Sequence, residues 1–199
     1  MYFENRLSAG EELAIRLAKY TNDDAVVAIL SDGAEVLGEA IARRLSIPLT
    51  TFISKAIKLP GETASIGSVD QEGSFMFNSR FTQGQTDEYS AEYHTYIEEE
   101  KIKKSHEINR EITSKSLNSR NEFTDKIVIL VSDGLNETVA LDSAVEYLKP
   151  IRLKRLVMAV PVVSVMAVDR MHVACDEIHV LSVTENFISP DHYYDDTRG

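Results

Sequence analysis

The sequence predicts an α/β fold in which a mostly parallel five-stranded sheet is flanked by helices. Three observations carry this. Short apolar runs of strand length alternate with segments of helical periodicity, the pattern of successive strand–helix–strand units. The runs lack polar alternation and so read as strands buried on both faces, as parallel strands are. Finally, 199 residues with 43% hydrophobic and 27% charged content suffice for one domain with a sizeable core.

In chain order, Ser8 with Glu11 three residues on predicts a capping box opening the first helix, along which Leu13, Leu17 and Tyr20 follow at helical spacing. Residues 24–30 predict a buried strand and Ser31-Asp32-Gly33 a turn. Val36, Leu37, Ala40, Ile41 and Leu45 then line one face of the helix behind it. Pro48 opens a short strand over 49–53. The rhythm changes after that. Runs at 64–69 and 74–77 flank Asp70-Gln71-Glu72-Gly73 and predict a β-hairpin with a four-residue loop. Residues 78–90, polar and glycine-containing, predict a loop. From 91 to about 115 the chain predicts a strongly charged helix, with Glu99–Lys103 and Glu100–Lys104 at i, i+4 in the favourable order, worth roughly 0.2–0.5 kcal/mol each. Strand-like order returns at 126–131, followed by Ser132-Asp133-Gly134-Leu135-Asn136-Glu137, a helix from Thr138 to Leu148 and the stop at Pro150. A strand at 156–160, a helix at 163–172 and a strand at 177–183 complete the pattern. With no repeat and no linker, a single domain over 1–199 is expected, carrying an insertion at about 60–122.

Charge and cysteine content narrow the function classes. Lys+Arg 21 against Asp+Glu 32 gives a net charge of −11, which disfavours nonspecific attraction to nucleic acid or to an anionic membrane. Neither partner is expected. Cys175 alone excludes an internal disulfide and a multi-cysteine zinc site. His172, Cys175 and His179 match no zinc spacing, so a structural role and no metal site are expected there. The start of the chain lacks a signal-peptide pattern, and no run approaches the roughly 18 apolar residues of a membrane span. A cytoplasmic protein is the expectation.

In parallel α/β sheets, ligands bind beyond the carboxyl ends of strands, on the N-termini of the helices that follow. Two turns qualify, Ser31-Asp32-Gly33 and Ser132 to Glu137, and both combine a hydroxyl, an aspartate and a glycine. A strand–turn–helix junction needs a glycine and a cap for structural reasons too, so the turns give a location and leave the chemistry open.

Residues 126–134, Lys-Ile-Val-Ile-Leu-Val-Ser-Asp-Gly, with a helix behind them resemble the ribose-phosphate-binding segment of type I phosphoribosyltransferases. Asn5-Arg6 and Ala9-Gly10 resemble the start of that family, and residues 64–69 resemble the segment that opens its hood. Ala159-Val160-Pro161-Val162, Cys175-Asp176-Glu177 and the closing His192-Tyr193-Tyr194-Asp195-Asp196 are similar to its uncharacterised bacterial members. The order is collinear over most of the chain. The resemblance implies a Rossmann-like core with the insertion at 60–122 as hood, formed by a hairpin at 64–77 and the charged helix at 91–115. It further implies a homodimer, a nucleobase, nucleoside or nucleotide-like ligand, and Mg²⁺ wherever phosphoribosyl pyrophosphate is bound, with no other cofactor.

The departures from the family pattern fall at the chemical positions. Two adjacent acids normally hold the ribose hydroxyls, and a Thr-Gly-x-Thr loop cradles the 5′-phosphate. The matching residues are Ser132 and Asp133, then Glu137-Thr138-Val139-Ala140. The pyrophosphate loop, usually Arg-Gly-Gly, is matched by Ser31, Asp32 and Gly33. Glu137 and Asp32 thus stand where phosphates approach, and two unit charges about 4 Å apart repel by roughly 4 kcal/mol at an effective dielectric near 20, nearly three orders of magnitude in affinity. The candidate ligand-binding residues are Ser31, Asp32, Gly33, Ser132, Asp133, Gly134, Leu135, Asn136, Glu137 and Thr138. Asp133 is the candidate catalytic residue, able to accept a ribose hydroxyl, and Thr138 the candidate helix cap.

Three functions follow as expectations. The first is a protein of this fold without efficient phosphoribosyl transfer, acting as a regulatory or ligand-binding module. The second is an active, divergent phosphoribosyltransferase in which Asp133 holds ribose and Lys101, Lys103 or Lys104 supplies the missing positive charge. The third is a scaffold that docks a partner through the charged helix. The aromatic tail at 192–196 is expected to pack on the core.

Overall fold

Apolar runs and capped helices alternate along the chain as α1 (Arg6–Arg16), β1 (Ala25–Ile29), α2 (Glu35–Leu45) and β2 (Leu49–Thr51). Then come β3 (Ser54–Lys58), β4 (Ser65–Asp70), β5 (Phe75–Phe77), α3 (Gln83–Glu92) and α4 (His94–Lys115). The chain closes with β6 (Ile127–Val131), α5 (Val139–Leu148), β7 (Arg155–Ser164), α6 (Val165–Ala174) and β8 (Glu177–Thr184). This computed structural model describes residues 2–115 and 120–195. Asp196, the end of the predicted tail segment, lies outside the described residues. Two units are distinguished: one of Met1–Thr51, Asn118–Asn136 and Ile151–Gly199, the other of Phe52–Leu117 and Glu137–Pro150.

The first unit holds a five-stranded sheet of order β2-β1-β6-β7-β8, parallel at every pairing, as the unalternated runs predict. Its core gathers Leu13, Leu17, Leu37, Ile41 and Leu45 from α1 and α2 against Val27, Ile129 and Val157 of the sheet. β1 and β6 are parallel neighbours with Ile29 opposite Val131, and Leu30 N–H donates to the Val131 carbonyl at 2.8 Å. The chain leaves β1 for β2 on one side and β6 for β7 on the other, so the turns after β1 and β6 emerge side by side at the switch point of the sheet.

The second unit is built on an antiparallel sheet of order β3-β4-β5, with α4 and α5 packed on it. Ile57, Ile66, Val69, Ile97 and Ile108 form its buried cluster. The register sets Lys55, Val69 and Phe75 in one row and Ile57, Gly67 and Phe77 in the next. α4 is tied to β3 by Lys55, which pairs with Glu111 at 2.8 Å.

Several local expectations are corrected. The first helix is capped by Asn5, whose side chain accepts from Ser8 N–H at 2.8 Å, and Ser8 supplies the return bond to Asn5 N–H; Glu11 takes no part. Asparagine caps as well as serine, and it stands three residues earlier. The strand expected at 49–53 ends at Thr51, and Ser54–Lys58 forms an unexpected third strand beside the hairpin. The hairpin loop runs over 71–74, shifted by one residue, with Gly73 at φ +82°. Residues 83–90, expected as loop, belong to α3, fixed at its start by the reciprocal Thr82–Gln85 capping box, and the charged helix expected from 91 begins at His94. On α4 the ion pairs are Glu98–Lys101, Glu100–Lys103 and Lys104–Glu107, all at i, i+3, in place of the expected i, i+4 pairs. The strand expected to stop at residue 160 continues to Ser164, which caps α6 by accepting from Ala167 N–H. Pro161 is tolerated because β6 has already ended at Val131, opposite Ala159, so the ladder on that side needs no donor there.

Candidate functional site

The turns that follow β1 and β6 meet through side chains. Ser31 precedes the single 3₁₀ turn Asp32–Ala34 that leads into α2, and its hydroxyl caps no helix. It donates instead to Asp133 Oδ1 at 2.8 Å and lies 3.4 Å from Ser132 Oγ. Ser132, itself buried, donates back to the Gly134 carbonyl at 2.9 Å. Gly33 closes the junction: a Cβ there would lie 2.1 Å from Asp133 Oδ2, so only glycine lets the two turns approach this closely. Asp32 is exposed.

Asp133, 4% exposed, is the hub. Its second oxygen, Oδ2, accepts from Arg6 Nη2 at 2.8 Å and Nε at 3.2 Å. The same guanidinium bonds Asp191 and lies over the Tyr194 ring, 4.4 Å from the centroid. Burial works against the Arg6 charge, but the hydrogen bonds to Asp191 and Asp133 outweigh it and hold the guanidinium above its ordinary value. Tyr194 is fully buried and donates its hydroxyl to the Asp133 carbonyl. Pairing of Phe3 with Tyr194, through Phe3 N–H to the Tyr193 carbonyl at 2.8 Å, brings the N-terminal and C-terminal segments together around this aspartate. The aromatic tail thus packs on the core as expected, with Tyr193 also buried.

The rest of the turn after β6 is tied down. Leu135 N–H donates to the Val162 carbonyl at 3.0 Å, and Ser164 N–H to the Leu135 carbonyl at 2.9 Å. A Cβ at Gly134 would come within 3.1 Å of Phe187 and 3.2 Å of Pro190, so the tail lies directly against this glycine. Asn136 is exposed.

Glu137 and Thr138 belong to the second unit. The Glu137 carboxylate accepts from the Ser65 hydroxyl of β4 at 2.7 Å. Thr138 does not cap α5 with its side chain as expected. Its hydroxyl donates to the buried carboxylate of Asp142 at 3.0 Å, which also accepts from Ser79 at 2.7 Å.

Arg6, Asp191, Tyr194 and Ser65 were not among the expected site residues. Arg6 stands beside the N-cap of α1, and its position gives no hint of a carboxylate 127 residues away. His172, Cys175 and His179 form no shared site: His179 hydrogen-bonds Glu177, and burial pushes the Cys175 thiol up to about 12.

Two Ser-Asp-Gly turns meet at the switch point of a parallel sheet in an α/β protein. Residues 2–195 match the phosphoribosyl transferase domain, and the chain belongs to that family. Among solved structures it is similar to the protein TT1426 from Thermus thermophilus, at 25% identity and a TM-score of 0.67, with 98% of this chain and 90% of that chain covered. It also shares its fold with a hypothetical protein from Neisseria gonorrhoeae with bound ppGpp, at 10% identity and a TM-score of 0.52, covering 94% and 83% of the two chains. A purine phosphoribosyltransferase from Pyrococcus horikoshii shares it as well, at 16% identity and a TM-score of 0.50, covering 91% and 84%.

For the Mg²⁺ that the family resemblance implies, the matching carboxylate is Asp133. Both Asp133 oxygens already accept, one from a guanidinium and one from a hydroxyl, and among the described residues no three metal-capable side chains cluster. Nor does any helix among the described residues have the length and apolarity to cross a membrane.

Proposed function

We propose that this protein keeps the phosphoribosyltransferase scaffold without efficient phosphoribosyl transfer, and serves as a regulatory module that binds a small nucleobase-like or nucleoside-like ligand. The observation that carries this reading is the state of Asp133. The resemblance assigns this carboxylate to the ribose hydroxyls, yet Arg6 and Ser31 consume both its oxygens within the fold. A ribose hydroxyl that displaced one of these bonds, nearly out of water, would forgo about 1.5–3 kcal/mol. The carboxylate of Glu137, held by Ser65, adds to the same reading by keeping negative charge on the loop that should cradle a phosphate.

The active-enzyme alternative needs cations from the charged helix. Lys101, Lys103 and Lys104 each pair with a glutamate on their own helix, so their positive charge is already partly offset. A homodimer working in the cytoplasm completes the proposal, on the family's pattern. The test is a screen of purine and pyrimidine bases with phosphoribosyl pyrophosphate and Mg²⁺, read as pyrophosphate release. No base should give release above background. Release that is lost in Asp133→Asn would overturn the reading.

A further inference from the structure

We propose that the second unit carries a separate ligand site, selective for a monocyclic aromatic amide, between β5 and the helices α3 and α4. Nothing in the turns around Asp133 contributes to it, so the reading above and this one stand or fall separately.

The site is a cavity of about 180 Å³. Phe75 and Phe77 form one corner, their ring centroids 5.0 Å apart and their planes at 79°. Buried Ile97 and the first residue of α4, His94, line it from one helix, and Ser90 of α3 lines it from the other. The pocket is open to solvent on one side; an enclosed dry cavity of about 150 Å³ accommodates benzene. The volume here therefore suits one six-membered ring with a short substituent, and the perpendicular phenylalanines offer such a ring both stacked and edge-to-face contacts.

The substituent is selected by the charged pair in the lining. Glu98 and Lys101 are one helical turn apart on α4, and Lys101 Nζ donates to Glu98 Oε1 at 2.8 Å. The ammonium also lies 5.4 Å from the Phe75 ring centroid, which keeps it over the aromatic corner. An ammonium has three donors and a carboxylate about four acceptor positions, so this pair retains at least one of each after bonding to itself. A carboxamide presents a carbonyl acceptor and an amino donor on adjacent atoms and satisfies both without breaking the pair. An anionic substituent would lie close to the Glu98 charge and a cationic one close to the Lys101 charge, and a bare hydrocarbon would use neither.

Benzamide is the probe. Titrated into ¹⁵N-labelled full-length protein, it should give saturable amide shifts confined to β5, the end of α3 and the first turns of α4. The dissociation constant should be near 1 mM, as expected for a ligand of about nine heavy atoms. Lys101→Met keeps the stem and removes the donor; it should weaken benzamide by about fivefold and leave benzene binding unchanged. Ser90→Phe fills the cavity and should abolish both, and Lys101→Met carries the test if that variant does not fold. Absence of saturable shifts with wild type, shifts centred elsewhere, or benzene binding as tightly as benzamide would each overturn the proposal.

Discussion

Arg6 is the residue on which the arrangement around Asp133 depends. It satisfies one oxygen of a carboxylate that is 4% exposed, and it reaches Asp191 of the tail with the same group. Removing one partner of a buried pair leaves an uncompensated charge, which typically costs about 3–5 kcal/mol. Arg6→Ala should therefore lower the stability to urea by about 3 kcal/mol. Adding Asp133→Asn should recover part of that loss, because the stranded charge is then gone; a double-mutant cycle measures the coupling. Additive losses would contradict the pairing. Ser31 is legible as a site residue from its place after a strand, but its partner is not: the Ser31–Asp133 bond joins turns 102 positions apart, and only the adjacency of β1 and β6 brings them together.

At the scale of elements, Glu177 at the head of β8 is the clearest staple. It accepts from Lys19 and from the Tyr20 hydroxyl at 2.9 Å, both just after α1, from Arg155 at the head of β7 at 3.1 Å, and from His179 on its own strand. Burial pushes this carboxyl up, and the bonds from Lys19, His179 and Tyr20 more than reverse that, holding it at about 2. Because the folded value lies below the ordinary roughly 4.3, the stabilisation is complete only above about pH 5 and is lost as pH falls from there toward 2. Glu177→Gln should cost about 1–2 kcal/mol at pH 7 and much less at pH 3, by urea unfolding at both. Equal losses at the two pH values would contradict the sign. Element identity was legible wherever packing imposed a period, as in the all-buried β1 and β6. α3 was not, because Gln83–Glu92 carries almost no apolar face and is set by its Thr82–Gln85 cap. β3 was hidden for a related reason: Ser54-Lys55-Ala56-Ile57-Lys58 has one buried residue, Ile57, and gains its strand geometry from β4. Pro161 read as an end point because the sequence does not reveal that β6 stops short of it.

For the whole molecule, the net charge of −11 acquires an address. On the family resemblance, Asp32 and Glu137 match positions that receive phosphate, and Asp133 accepts bonds from Arg6 and Ser31. The family and the position of both turns were readable from collinear motifs; the occupancy of Asp133 was not, since it arises from an arginine at one end of the chain and a tail at the other. Family membership thus fixes the scaffold, and the proposal of altered chemistry rests on the side chains at its switch point. The decisive measurement is a calorimetric titration of the purified protein with phosphoribosyl pyrophosphate in the presence of Mg²⁺. The account predicts no binding tighter than about 1 mM, in line with the roughly 4 kcal/mol of repulsion expected from one misplaced carboxylate. Saturable binding at micromolar concentration would contradict it.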